Sequence, residues 1–356
     1  MLKRETALPA TSRLNNRLVQ RQPMTRFSIF SLCCLILVLC SNPSAHADAP
    51  KSFAADTAVI DFANAMTDRH GFDAAELLGD FARLQPNPTV LKLIAPPASP
   101  TQRSWQRYRT RFLNPARIDE GLRFWQEHQV TLRRASAEYG VPEEIIVAII
   151  GVETVYGRNQ GRFGVMEALA TLAFAYPPRA EFFRRELEQF LLLARENRVE
   201  RLAVLGSYAG AIGIPQFMPG SQRRYAVDYD GDGRIDLSGS VEDAIGSVAR
   251  FLERHGWQRR EPVAVPASID QKPARALLDA GIRPSLKAAD LASQDIRGNA
   301  PADAMVTLID LVTPEEESEY WLGFENFYVI TRYNRSSFYA MAVFQPAEAI
   351  RAKTGQ

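Results

Sequence analysis

Cysteine is scarce in this chain and confined to one place. Cys33, Cys34 and Cys40 all fall in the apolar stretch from Phe27 to Cys40. Once that stretch is removed, disulfides, thiolate catalysis and Cys-based zinc sites are excluded. The stretch is also short for a membrane span, which needs about 20 apolar residues. Arg26 precedes it, and Ala45-His46-Ala47 follows as a small-residue cleavage pattern. Residues 1–47 therefore read as an export leader, with a mature periplasmic chain starting near Asp48. Met24 is an alternative start, and an uncleaved anchor helix is the other reading of the apolar stretch. Leu37-Val38-Leu39-Cys40 faintly resembles a lipoprotein cleavage site, which would tether the protein to the outer membrane. Leu39 is bulkier than such a site requires.

Positive charge is lacking too. Six of the 42 Lys and Arg residues, and one of the 41 acids, lie in residues 1–47. The remainder carries about −4, without the excess of basic residues that nucleic-acid binding needs. There is no internal repeat and no low-complexity tract. The 356 residues leave room for two or three domains, and 46% hydrophobic with 23% charged residues is ordinary for a soluble globular protein.

Helical spacing dominates the first two thirds. Ile60, Phe62, Ala63 and Met66 recur at helical intervals, as do Leu77, Leu78, Phe81 and Leu84. The proline-rich segment 95–100 reads as a linker. Trp105 to Phe112 and Pro115 to Tyr139 predict two helices, the second stopped by Gly140. Val141-Pro142-Glu143-Glu144 opens a helix whose next turns, Ile145 to Ile150, are apolar on every side and so must be buried. Met166 to Phe174, Ala180 to Glu196 and Val241 to Gly256 predict further helices. After Trp257 the pattern shifts to short β-branched runs, Val263 to Val265, Met305 to Val312 and Phe327 to Tyr333. The chain is thus α+β and mainly α. Residues 258–335 form a small antiparallel β domain, and Ser336 to Lys353 a closing helix.

Glu153 is the strongest chemical signal. It follows the apolar run within Gly151-Val152-Glu153-Thr154. A carboxyl in apolar surroundings resists ionisation, which suits a general acid at neutral pH. A helix-end glutamate turned to water is the plain alternative. The second signal is the glycine-rich segment Gly206 to Ser221. There Ser207 and Gln216 offer directional hydrogen bonds, and Tyr208 and Phe217 offer flat faces for sugar rings; a merely packed loop would have the same composition. Aspartate is absent between Val141 and Val227, and Glu186, Glu188 and Glu196 read as parts of charged helical faces. Most glycosidases use two carboxylates, so this shortage points to a single-carboxylate mechanism. The third signal, Asp228 to Asp236, fits the first nine positions of an EF-hand loop. Asp228, Asp230, Asp232 and Asp236 fall at the acidic positions, and Arg234 at the seventh, which supplies a backbone carbonyl. Gly239 stands where a bidentate glutamate belongs, so water, Glu242 or Asp243 would complete an ion's coordination. An acidic turn without an ion is the alternative.

Together these segments resemble the membrane-bound lytic murein transglycosylase B family. The matching pieces are Gly151 to Thr154, Leu169-Ala170-Thr171-Leu172-Ala173-Phe174-Ala175-Tyr176-Pro177, the Ser207 to Ser221 loop, Asp243-Ala244-Ile245-Gly246-Ser247-Val248-Ala249, and Ile330-Thr331-Arg332-Tyr333-Asn334. The resemblance implies a lysozyme-like helical core at 134–257. A helical region at 48–133, closed by the helix at 336–353, would flank that core, with the β domain beside it. It implies a lyase acting on peptidoglycan glycan strands, which cleaves the β-1,4 bond after N-acetylmuramic acid without water and leaves a 1,6-anhydromuramic end. Glu153 matches the catalytic glutamate, and Ser207, Gln216, Tyr333, Asn334, Tyr108 and Arg179 match residues lining the glycan cleft. No cofactor is implied for catalysis, and a weak structural Ca2+ or Na+ is implied for the acidic loop. Pro178 departs from a usual arginine and Phe182 from a frequent tyrosine, which puts individual sugar or peptide contacts in doubt. A hydrolysing muramidase and a non-catalytic murein-binding protein remain the rival readings.

Overall fold

The structure is a computed structural model that describes residues 52–96, 103–270, 273, 275–314 and 316–355. The leader, its three cysteines, the Ala45-His46-Ala47 pattern and most of the 95–100 linker lie outside the described residues. Among those described, no helix is long and apolar enough to cross a membrane.

Three short helices come first: α1 (Thr57–His70), α2 (Ala74–Ala82) and α3 (Pro88–Ile94). Each begins at an acid or amide whose side chain accepts a first-turn N–H: Asp56, Asp73 and Asn87. The buried face of α1 is Val59, Phe62, Ala63 and Met66, while Ile60 is exposed. Phe62, Ala63 and Met66 face the core as the apolar pattern predicts, and Val59 takes the place expected for Ile60. Next come α4 (Trp105–Arg109), α5 (Pro115–Glu127) and α6 (Gln129–Tyr139). The single helix predicted for Pro115 to Tyr139 is broken at His128, whose backbone (φ −109°, ψ 22°) leaves the helical region. Gly140 closes α6 at φ 77°, a left-handed conformation that glycine adopts without strain.

Helix α7 (Glu143–Thr154) is buried at Ile145 through Gly151 without interruption, as an all-round apolar helix requires. It packs on α5, α6, α11 (Val241–Arg254) and α15 (Ser337–Thr354). Around it gathers a large cluster that also takes in Trp105, Phe217, Phe251, Phe327, Phe338 and Tyr339. A second cluster joins α1 to α3 with α8 (Val165–Ala175) and α9 (Ala180–Glu196). The loop from Gly206 to Gly220 runs between the two. Its Ile212 belongs to the second cluster and its Ile214 to the first, so the loop marks a seam between two apolar bodies.

The β region is a five-stranded antiparallel sheet with a third small cluster. Its outer strands are short, and its longest, Met305–Leu311, pairs with both Glu319–Gly323 and Leu286–Lys287. Phe327 to Tyr333, predicted as a strand, lies instead in and just after α14 (Glu325–Thr331). A seven-residue run rich in aromatic and β-branched residues satisfies either period. Burial of Asn326, Phe327, Val329, Ile330 and Thr331 together decides for the helix.

Candidate active site

Glu153 sits in the last turn of α7, where the buried helix reaches the seam. The next residue, Thr154, is fully buried, and its hydroxyl donates to the Ile214 carbonyl at 2.7 Å while accepting the Gly157 N–H at 3.0 Å. One side chain thus ties the end of α7 to the glycine-rich loop. The chain then turns sharply, with Val155 and Tyr156 both left-handed at φ 55° and 58°. Such conformations cost about 1–3 kcal/mol each in non-glycine residues and persist where packing enforces them. Tyr156 is held by its hydroxyl on the Arg117 carbonyl at 3.0 Å.

The Glu153 side chain faces a cavity of about 410 Å³ that Phe163, Ser207, Tyr208 and Gln216 also line. No other lining residue carries a carboxyl group. A larger cavity of about 480 Å³ shares Gln160 and Gly161 with it, but its walls are mostly apolar side chains of α9 and the 199–205 segment, and its one carboxyl group is that of the exposed Asp236 in the acidic loop. Burial pushes the Glu153 carboxyl up from 4.5 to about 7, against the opposing effect of a hydrogen bond from Tyr339. The Tyr339 hydroxyl donates to Glu153 Oε1 at 2.6 Å. Tyr339 stacks on Tyr333 at 6.3 Å and 16°, and Tyr333 in turn donates to the Pro215 carbonyl at 2.6 Å. Burial first, then the Glu153 charge, raises the hydroxyl pKa values of Tyr108, Tyr333 and Tyr339. Three phenols therefore crowd one carboxyl group.

The residues predicted from the sequence separate into two groups. Ser207 and Gln216 are on the cavity wall with Glu153. Ser207 Oγ accepts the Ala211 N–H at 3.0 Å, which fixes its rotamer. The Gln216 amide nitrogen donates to the Gln160 and Gly213 carbonyls at 3.0 and 2.9 Å, which assigns its oxygen as the remaining free acceptor. Gly213 is required there, because its φ is 74° and a Cβ would stand 2.4 Å from the Leu237 carbonyl oxygen. Tyr108 and Tyr333 do not line that cavity, but both are near enough to Glu153 to feel its charge. Asn334 and Arg179 are exposed, and neither lines the Glu153 cavity. The Arg179 guanidinium lies over the Phe182 and Phe183 rings at 4.7 and 5.0 Å. Phe182 occupies the position where the family often has tyrosine, so the departure leaves a packed aromatic face. Tyr339 was not foreseen. It lies 186 residues from Glu153, and its one local signal is a position on the buried face of α15. Glu186 is a correction: instead of facing solvent it is buried, with Oε2 accepting the Gly220 N–H at 2.8 Å, and so braces the loop from below.

In the acidic loop, carboxylate oxygens of Asp228, Asp230 and Asp232 lie within 4.8 Å of one another. Asp228 also accepts N–H bonds from Gly231, Asp232 and Gly233. Asp236 turns elsewhere and caps Ser238 and Gly239 at 3.0 and 2.8 Å. A Cβ at Gly239 would stand 2.5 Å from Asp236 Oδ2, so a side chain at the twelfth position would have to displace the Asp236 carboxylate. Asp243 does not join the cluster. It is buried, and its two oxygens accept the Tyr229, Asp230 and Asp236 N–H groups from inside. The Ser240 hydroxyl, foremost, holds Asp230 below its ordinary pKa.

A lone carboxyl of raised pKa at the end of a buried helix, in a cleft with polar and aromatic walls, has the character of a general acid–base catalyst in an enzyme active site. Residues 54–348 match the family model of the Transglycosylase SLT domain, and the chain belongs to that family. It is 44% identical over 303 residues to membrane-bound lytic murein transglycosylase B of Escherichia coli (strain K12), which covers 81% of each chain. The soluble lytic transglycosylase SltB1 of Pseudomonas aeruginosa is 48% identical, with 84% of this chain and 100% of that one aligned at a TM-score of 0.79. The Escherichia coli lytic transglycosylase Slt35 in complex with calcium is 40% identical, with 86% and 96% aligned at 0.78. The fold is accordingly the lysozyme-like one of lytic transglycosylases, mostly helical with small antiparallel sheets.

The raised pKa of Glu153 has a consequence for stability. A carboxyl whose folded pKa exceeds its unfolded one favours the native state fully below about 4.5, and this contribution is lost as pH rises through about 7. Glu153→Gln, neutral at every pH, should therefore match wild type in urea unfolding near pH 4. By pH 8 it should be more stable by on the order of 2 kcal/mol. A stability difference that stays constant between those pH values counts against desolvation of this carboxyl.

Proposed function

We propose that Glu153 is the single acid and base of this lytic murein transglycosylase. The neutral carboxyl protonates the glycosidic oxygen of the leaving N-acetylglucosamine as the bond to muramyl C1 breaks. The carboxylate so formed takes the proton from the C6 hydroxyl as O6 attacks C1. The proton is thereby returned, no water is consumed, and a 1,6-anhydromuramic end remains. By family analogy the substrate's own N-acetyl oxygen stabilises the cation between the two steps. The observation that carries this reading is the carboxyl group itself, alone in its cavity and poised near neutrality, so that both protonation states are accessible. Tyr339 positions it. Ser207 and the Gln216 oxygen are placed to hold sugar hydroxyl or N-acetyl groups.

Glu153→Gln should stay folded and lose at least about 10²-fold in the rate of murein solubilisation. Mass spectrometry of digested sacculi should find anhydromuramic ends from the wild type. Reducing ends in their place would assign a hydrolysing muramidase, and no release at all would assign a binding protein.

The acidic loop is proposed as a structural Ca2+ site with no part in the reaction. Three converging carboxylates suit a hard cation, and a relative of the same fold has been solved with calcium. Asp228, Asp230 and Asp232 would hold the ion, with the Arg234 carbonyl at the seventh position. Asp236 and the space at Gly239 offer little, so affinity belongs at the weak end of the EF-hand range, about 10⁻⁴–10⁻³ M. Millimolar Ca2+ should raise the melting temperature relative to EDTA, and Asp228→Ala/Asp232→Ala should abolish the difference; identical wild-type melts in both conditions would make the loop a plain acidic turn.

The working compartment is proposed to be the periplasm, on the export pattern ending at Ala47 and an envelope-located relative. N-terminal sequencing of the mature protein should begin near Asp48. A lipid on Cys40 would instead place the enzyme on the outer membrane.

A further inference from the structure

Beyond Gln216, the Glu153 cavity gives way to a second, smaller one of about 230 Å³ that shares Gln216 with it and has Tyr333 in its wall. This second cavity differs sharply in chemistry. Arg224, Arg332, His255 and Ser221 line it, and no lining residue carries a carboxyl group. Arg224 is fixed by Nε on the Gly220 carbonyl at 2.9 Å, which leaves its terminal nitrogens for other partners. Arg332 donates to the Tyr328 hydroxyl at 3.5 Å and lies 5.9 Å from the centre of the same ring. Among the described residues neither guanidinium forms an ion pair, whereas Arg109, Arg158, Arg201, Arg223 and Arg351 each do. Glu186 interacts with Arg224 through space, but its Oε2 is taken by the Gly220 N–H.

His255 confirms the sign of the field. Its ring lies between Phe251 and Tyr225, with centroids at 4.1 and 4.9 Å. Nδ1 stands 2.7 Å from the Phe251 carbonyl, which can only accept, so Nδ1 carries the proton. Burial, and then the charges of Arg332 and Arg224, hold its pKa below the ordinary value. The imidazole is therefore neutral at neutral pH, and the positive charge of the cavity belongs to the two arginines.

We propose that this cavity is an anion subsite that receives a carboxylate of the peptide borne by a muramyl residue, while the glycan lies across Gln216 and Tyr333 to reach Glu153. The inference rests on the function proposed above. Unpaired guanidinium groups at the mouth of a glycan cleft match a planar anion through paired N–H donors, and the anionic groups of murein are carboxylates. Arginine provides this geometry where lysine would provide only a point charge. The subsite would make cleavage prefer peptide-bearing strands by binding them more tightly, with little effect on the chemical step.

Three substrates test this: native murein, murein whose carboxylates have been converted to amides with carbodiimide and ammonia, and strands stripped of peptide by an amidase. Amidation should raise the wild-type KM about tenfold and change kcat less than about twofold, as expected for partly exposed charge-assisted hydrogen bonds. In Arg224→Gln/Arg332→Gln the ratio of the two KM values should fall to about one, and Arg224→Lys/Arg332→Lys should recover only part of it. A wild-type KM indifferent to amidation overturns the proposal, as does a double Gln variant that keeps the tenfold ratio. If stripped strands, which retain the lactyl carboxylate, depend on the two arginines as strongly as native murein does, the peptide assignment is overturned. Failure of the wild type to release anhydromuramic products from any of the three substrates would instead refute the function itself.

Discussion

Helix α7 has no polar face between Ile145 and Ile150, so it cannot lie at a surface, and its C-terminal turn has to emerge inside the protein. Much else follows from that constraint. The carboxyl of Glu153 arrives where water is scarce, and its ionisation is resisted by the same packing that stabilises the helix. The helix must also end abruptly, within two residues of the cavity. The left-handed pair Val155 and Tyr156 accomplishes this, with Thr154 anchoring the turn to the loop opposite. A general acid and the strained backbone beside it are thus two results of one buried run.

The glycine-rich loop complements this arrangement. Ile212 and Ile214 point into different apolar clusters, so the loop is held from both sides and its polar groups are left to face the seam. Gln216 illustrates how such a loop sets chemistry. Both amide protons are committed to backbone carbonyls, and the side chain offers a guest only its oxygen. Glu186 braces the same loop through Gly220, an example of a carboxylate spent on architecture close to one reserved for reaction.

What could be read in the sequence was what is encoded locally. The all-round apolar character of Ile145 to Ile150 announced both a buried helix and an acid of unusual pKa at its end, and α9 has the predicted bounds, Ala180 to Glu196. Features that depend on partners distant in the chain were hidden. Tyr339 is one tyrosine on a mostly apolar helix until the fold brings it to Glu153. Glu186 has the sequence context of a surface acid, and only the approach of Gly220 explains its burial. Phe327 to Tyr333 was too short for its period to separate helix from strand. The acidic loop announced its first carboxylates plainly, whereas the inward turn of Asp243 and the tight contact between Gly239 and Asp236 required coordinates.

The hydroxyl that touches Glu153 is contributed by α15, which covers Ser337 to Thr354. Long-range contacts of this kind form late in folding, because a large loop must close before the pairing is rewarded. Without α15, Glu153 would lose Tyr339, the one phenol that hydrogen-bonds it, and α7 would lose the packing of α15 against it. The setting of this carboxyl is thus a property of two helices distant in the sequence and joined by one hydrogen bond, not of the Gly151 to Thr154 segment alone.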